Sequence, residues 1–258
     1  MDMKQLFDLH GRNAIVTGGS RGLGLQIAEA LGEMGAKVAL TARKRDELDE
    51  AVAHLGKKGV EAHAWVCDIG RRDMIPGVFD QILAKLGRID ILVNNAGAVW
   101  GAPAEDHPLE AWDKLVNLNL VGAFIMAQQA AKKSMIPAEW GRIVNVASVA
   151  GLFASDPQFV RTVSYNATKH GVVGMTKQLA AEWGVHGITV NAICPGFFPS
   201  KMTRATLDTT GEAMRKMTPT RRLGGPDDLK GLAVLLASEA SRHITGQAIV
   251  VDGGAVLI

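Results

Sequence analysis

Tyr165 and Lys169 stand four residues apart in the stretch Tyr165-Asn166-Ala167-Thr168-Lys169. On a helix that spacing puts a phenol and an ammonium on one face, one turn apart. A free phenol has a pKa of ~10 and exchanges its proton poorly near neutral pH. A cation beside it in a partly dry cleft favours the phenolate, and a lowering by roughly three pKa units corresponds to about 4 kcal/mol. Tyr165 is the only tyrosine in the chain. Ser148 closes the apolar run Ile143-Val144-Asn145-Val146-Ala147, where its hydroxyl could hold a substrate oxygen beside the phenol. This is a proton-handling set with no evident nucleophile and no metal cluster. A Tyr–Lys pair at this spacing also arises on ordinary solvated helix faces, so its weight depends on what surrounds it.

The surroundings are strands that deliver chemistry-bearing residues at their ends. Asn13-Ala14-Ile15-Val16-Thr17 reads as a first strand and runs straight into Gly18-Gly19-Ser20-Arg21-Gly22-Leu23-Gly24, followed by a helical pattern through Ile27 and Leu31. Strand, glycine-rich turn and helix is the arrangement that presents a phosphate to a helix N-terminus. Lys37 to Ala42 is the second strand. Dinucleotide-binding folds often place a ribose-binding carboxylate after it. Here Arg43-Lys44 follows instead, so Arg43, with Arg21 in reach, suits a 2′-phosphate. That predicts NADP(H) in preference to NAD(H), with NAD(H) still possible.

Arg45 to Lys57 is expected as a helix, Glu61 to Cys67 as strand three before Asp68-Ile69, and Arg71 to Leu86 as the next helix. Ile89 to Val93 is a continuous apolar strand ending in Asn94-Asn95-Ala96-Gly97, whose amides are expected to face a ligand. Trp112 to Asn119 and Leu120 to Met135 form one long helix or two abutting ones. Arg142 to Ala147 is strand five, a helix from about Ser164 to Trp183 carries Tyr165 and Lys169, and Ile188 to Ile193 is strand six before Cys194-Pro195-Gly196. Phe197 to Met217 reads as irregular, suiting a lid or a long surface loop. Pro226 starts a helix, and Gln247 to Val251 is strand seven. Seven strands alternating with helices predict one α/β domain over residues 1–258, a doubly wound, mostly parallel sheet with the site at the strands' carboxyl ends.

The 258 residues are 47% hydrophobic and 21% charged, and 28 basic against 26 acidic side chains leave a charge of +2. No basic stripe suggests nucleic acid. Cys67 and Cys194 read as free, buried thiols. No stretch has signal-peptide or transmembrane length. The expectation is a soluble cytoplasmic protein with no membrane partner.

Taken together, Thr17 to Gly24, Asp68, Asn94 to Gly97, Asn119, Ser148, Tyr165-x-x-x-Lys169, Pro195-Gly196 and Val251 to Gly254 resemble the classical short-chain dehydrogenases/reductases over essentially the whole chain. The resemblance implies a Rossmann fold, a nicotinamide cofactor and a catalytic tetrad of Asn119, Ser148, Tyr165 and Lys169. By that analogy Tyr165 is the acid/base, Ser148 polarises the carbonyl, Lys169 lowers the phenol's pKa, and Asn119 anchors a relay water. Implied cofactor contacts are Gly18, Ser20, Arg21, Gly22, Leu23, Gly24, Arg43, Asp68, Ile69, Asn95, Ala96, Gly97, Tyr165, Lys169, Pro195, Gly196 and Ser200, with Asp68 at the adenine and Ser200 at the nicotinamide amide. A homotetramer built through the long Asn119 and Tyr165 helices and the C-terminal strand is implied as well.

The segment between Ser148 and Tyr165 is a few residues longer than in most relatives, the excess lying in Leu152 to Ser164. Trp100, Phe153, Phe198 and Met202 are candidate pocket walls. The small-molecule substrate is then a ketone or secondary alcohol, with 3-oxoacyl carrier-protein thioesters and sugar acids as competing classes. Lys132-Lys133 and Arg161 would serve the first; Arg161, Lys201 and Arg204 would serve the second. A non-catalytic dinucleotide-binding protein is the alternative of another class, and four filled tetrad positions speak against it.

Overall fold

The structure is a computed structural model that describes residues 1–257, with Ala205 described in its backbone only. A short helix α1, Met3–Phe7, is held by a capping box in which Asp2 and Gln5 bond each other's backbone. β1, Asn13–Thr17, then leads into α2, Gly22–Glu33. β2, Lys37–Ala42, precedes α3, Arg45–Lys57, whose first turn is acidic and last turn basic, as the helix dipole favours. β3, Ala62–Val66, α4, Met74–Leu86, and β4, Ile91–Asn94, complete the first half.

In the second half α5, Leu109–Leu115, and α6, Gly122–Ala130, form one continuous helical run through wider π turns at Val116–Val121 and Ala131–Met135. β5, Gly141–Val146, α7, Val163–Trp183, and β6, Ile188–Pro195, follow. α8, Arg204–Met217, α9, Lys230–Ala237, and β7, Ala248–Val251, close the chain.

The seven strands form one sheet in the order β3-β2-β1-β4-β5-β6-β7. Every pairing is parallel, so the sheet is fully rather than mostly parallel. This is the doubly wound Rossmann-like arrangement. The order reverses between β1 and β4, which opens a crevice at their carboxyl ends. Central strands are apolar throughout because helices cover both faces. Ile15, Leu92, Ile143 and Val190 point to one core, with Phe79 and Met126; Val16, Val93, Val144 and Ile193 point to the other, with Ile27 and Leu236.

The segment Phe197 to Met217 is not irregular as a whole. Its last 14 residues form α8. Leu207, Gly211, Met214 and, just past the helix, Thr218 turn inward at helical spacing. Four threonines within the segment, with their low helix propensity, mask that stripe. The helix expected at Pro226 begins only at Lys230, because Asp228 folds back to accept the Gly225 N–H at 2.7 Å and pairs with Arg222. α4 likewise starts three residues later than expected, and β6 runs on to include Pro195. Among the described residues no helix is long and apolar enough to cross a membrane.

Candidate active site

α7 buries one stripe: Ser164, Thr168, Lys169, Val172, Val173, Thr176, Leu179 and Ala180. The second half of that stripe is mostly apolar and packs on the sheet. The first half is polar and lies beside the end of β5, where a helix with no other task would bury leucine. Lys169 is 4% exposed, and its Nζ donates to the carbonyl of Val146 at 2.7 Å. Its Nζ lies 5.6 Å from the centre of the half-buried Tyr165 ring. The helical pair predicted from spacing is therefore assembled.

Ser148 follows β5, is buried, and accepts the Ala150 N–H at 3.1 Å. Its hydroxyl also faces the Tyr165 phenol, close enough to bear on its proton. Burial pushes the phenol up, the Ser148 hydrogen bond pulls it down, and the net direction is up. The net depression expected from Lys169 is not found: burial dominates at the phenol, and it drives Lys169 itself down to about 8. The Cys194 thiol, at the end of β6, lies near the Ser148 backbone, Tyr165 and Lys169; burial raises its pKa as well.

Asn119 sits in the wide turn at Val116–Val121, where the Gly122 N–H reaches back to Asn117 rather than to Leu118. The extra residue in that turn carries the buried Asn119 toward the site, a use to which such turns are often put. Its amide exchanges two hydrogen bonds with the backbone of Ala98, each 2.9 Å, and donates to Thr168 Oγ1 at 3.1 Å. A methyl built on Gly97 would lie 3.3 Å from Asn119 Oδ1 and 3.7 Å from Lys169 Nζ. Gly97, Asn119 and Lys169 thus border one point.

The glycine loop forms a cradle on the other side of the crevice. Gly18 takes a left-handed φ of 63°. A side chain at Gly24 would strike the Gly18 carbonyl and the Asn95 amide, both at 2.4 Å, so only glycine lets α2 start this close to β1. No side chain caps α2, which leaves its first N–H groups for an anion. Ser200 approaches Gly22 from across the cleft: a Cβ on Gly22 would stand 4.0 Å from that of Ser200. Bare helix N-terminus, glycine cradle and facing serine fit the pyrophosphate of a dinucleotide.

Several predicted residues also make contacts within the chain. Asn95 is turned inward: its amide donates to the carbonyls of Thr17 and Gly18 at 3.0 and 3.1 Å. Asn94 is buried and donates to Ala123 and to Asn145. The two side-chain amides brace the ends of β1, β4 and β5, since buried strand ends leave carbonyls that need donors. Ile69 packs into the core against Gly122. Asp68 accepts the Gly70 N–H at 2.9 Å and shapes the turn after β3. Phe198 is 4% exposed and stacked under Gly224, so it is core and not pocket wall. Trp100, Phe153 and Met202 are exposed on the loops that flank the site. Arg161, Lys201 and Arg204 are exposed too, whereas Lys133 pairs with Asp80 on α4.

Residues given no role above complete the picture. Thr17 Oγ1 accepts the N–H groups of both Asn95 and Ala96, at 3.0 and 3.1 Å. Its place as the last residue of β1, against the glycine loop, was the available signal. Glu47 on α3 pairs with Arg21 at 2.6 Å and Lys44 at 3.4 Å. Arg43 makes no ion pair among the described residues and stands exposed at the end of β2.

Residues 12–211 match the family model described as short chain dehydrogenase. A D-threitol dehydrogenase of Mycolicibacterium smegmatis is 39% identical over 249 residues, covering 96% of this chain and 94% of the relative. A 3-oxoacyl-[acyl-carrier-protein] reductase of Staphylococcus epidermidis is 36% identical over 244 residues, covering 94% and 98%. Among solved structures, a gluconate 5-dehydrogenase from Burkholderia cenocepacia, in complex with NADP and tartrate, superposes with a TM-score of 0.93. It is 35% identical and is covered in full, as is this chain. With a family match over most of its length and relatives of this identity, the chain belongs to the short-chain dehydrogenases and is an oxidoreductase of that family.

Proposed function

We propose that the chain interconverts a secondary alcohol and a ketone with NADP(H), acting as a carbonyl reductase on 3-oxoacyl-type substrates. The observation that carries the reading is Ser148 facing Tyr165, one helical turn from buried Lys169, with the glycine cradle in the same fold. A nicotinamide dinucleotide held there supplies or accepts the hydride. The chain's own residues do the remaining work. Ser148 and Tyr165 converge on one substrate oxygen, which Ser148 holds while Tyr165 gives or takes its proton. Lys169, fixed by the Val146 carbonyl, sets the charge beside the phenol. Asn119 locks the loop after β4 to α7, and with Lys169 it borders the space at Gly97 where a relay water would sit.

Support for an apolar substrate flank comes from Val99, Trp100, Phe153 and Met202, all exposed on loops bordering the site. Lys169 is the one buried cation beside Ser148 among the described residues. The second reading, a sugar acid, draws on the likeness to gluconate 5-dehydrogenase and on Arg161, Lys201 and Arg204 at the rim. The test is NADPH consumption with an acetoacetyl thioester, 5-ketogluconate and simple ketones and diketones. The thioester is expected to turn over fastest. Preference for 5-ketogluconate would establish the second reading, and bound cofactor with no turnover on any substrate would retire both.

The cofactor preference rests on Arg43, left free to meet a 2′-phosphate at the end of β2. Arg43→Ala is expected to weaken NADPH binding about tenfold and to leave NADH unchanged, as loss of one charge-assisted hydrogen bond would. Dissociation constants by fluorescence titration decide it; tighter NADH binding by the parent chain would overturn the assignment. The proposal extends to one domain over residues 1–258, assembled as a cytoplasmic homotetramer. The buried free thiols Cys67 and Cys194 suit a reducing compartment. The exposed Leu109 and Phe124, on α5 and α6, suit contacts between copies.

A further inference from the structure

His107 belongs to no motif described above. It lies in the connection between β4 and α5, and its Nδ1 is 3.1 Å from the Pro108 carbonyl oxygen. A carbonyl only accepts, so Nδ1 carries a proton. In the neutral ring Nε2 is then an acceptor, and Ser164 Oγ lies 2.8 Å from it. Ser164 is fully buried, and among the described residues this is the only hydrogen bond of its hydroxyl. Trp112 meets the imidazole edge-on, with 6.0 Å between ring centres, and holds its plane.

Ser164 directly precedes Tyr165, in the first turn of α7. That turn has no side-chain cap, since Thr162 at the N-cap makes no capping bond. First-turn N–H groups without a cap leave a helix start weakly held. Here tertiary ties replace the cap. On one side stands His107; on the other Asn166 accepts from Thr162 at 2.9 Å and donates to Ser155 at 3.2 Å.

We propose that His107, acting through Ser164, is a positioning residue for Tyr165: it clamps the first turn of α7 so that the phenol keeps its place against Ser148. The inference rests on the reading of Tyr165 as the acid/base. It links the β4 loop, which carries Trp100, to the proton-transfer residue, so that the segment bordering the substrate and the group that protonates it move as one body.

The experiment is a double-mutant cycle with a conservative rescue. His107→Ala is expected to lower kcat about tenfold, since small misplacements of a reacting group are costly. KM and the dissociation constant for NADPH should stay within about twofold of the parent. Ser164→Ala should cause the same loss, and the double variant should lose no more than either single one. His107→Gln, whose amide oxygen can accept from the Ser164 hydroxyl, should recover most of kcat. Parent-like turnover in His107→Ala, additive losses in the cycle, or a His107→Gln as damaged as His107→Ala would each overturn the proposal. Should His107→Ala fail to fold, comparison of His107→Gln with Ser164→Ala decides in the same terms. Tyr165→Phe runs alongside: if it keeps turnover, the acid/base reading falls and the clamp with it. If it abolishes turnover while His107→Ala does not reduce it, only the clamp falls.

Discussion

Tyr165→Phe lowers kcat by about 10³-fold, the middle of the range for removing a general acid/base, while the variant still binds NADPH. The phenol oxygen is the atom that faces the Ser148 hydroxyl, and phenylalanine keeps the ring while deleting that oxygen. The chain holds no second tyrosine to substitute for it. Burial drives the phenol's pKa up, so the proton is well held until a substrate oxygen takes on negative charge. That state suits a proton donor in the direction of ketone reduction. Single-turnover kinetics with NADPH and the best substrate from the panel give the rate, and fluorescence titration gives the affinity. A variant within tenfold of the parent would remove Tyr165 from the chemistry.

Lys169→Met abolishes most turnover and makes the protein more stable at neutral pH. Lys169 is almost wholly buried, and burial depresses its pKa from 10.5 to about 8. That depression corresponds to about 3 kcal/mol of destabilisation wherever the side chain is charged in the folded state. Losing the bond to the Val146 carbonyl offsets about 1 kcal/mol of the gain. Methionine fills the same narrow space without a charge. The sign with pH follows from linkage. Between pH 8 and 10.5 the unfolded chain still holds the proton that the folded chain has released. The parent therefore gains stability as pH rises through that window, and the variant does not. The advantage of Lys169→Met is full below pH 8 and shrinks above it. Urea midpoints of both proteins at pH 7 and pH 10 measure the two gaps. A variant less stable than its parent at pH 7, or a gap that fails to narrow, would show that Lys169 is not held at such a cost. A buried lysine that costs stability is retained for what it does beside the phenol.

The parts of the site that were legible in the sequence are those where one residue type has one physical reason to be there. Gly18 to Gly24 follows a strand and opens a helix, and β1, β2 and α3 have the bounds that their apolar runs and flanking charges give. Tyr165 and Lys169 meet because helical spacing alone guarantees it. The misses arise where tertiary context overrides local pattern. Asn94 and Asn95 look like ligand-facing amides, yet the carbonyls around them are buried and claim their donors. α8 hides behind threonines, and the wide turn at Asn119 has no signature in composition. Phe198 reads as a wall residue until Gly224 is seen lying on its ring. The direction of the Tyr165 shift depends on how dry the site is, which no spacing reveals.

The brace from Asn95 to Thr17 and Gly18 spans 78 and 77 residues of chain. The glycine loop is therefore complete in sequence long before it is complete in shape. During synthesis its four glycines emerge early, with nothing to fix their conformation until β4 arrives and pairs with β1. Closing so long a loop is slow relative to making neighbouring contacts. The dinucleotide cradle is thus a late product of folding, and a nascent chain stopped short of residue 95 carries the motif without the site. Ligand in the cell acts on finished molecules: it holds the closed sheet together and offers no help to a chain still on its way there.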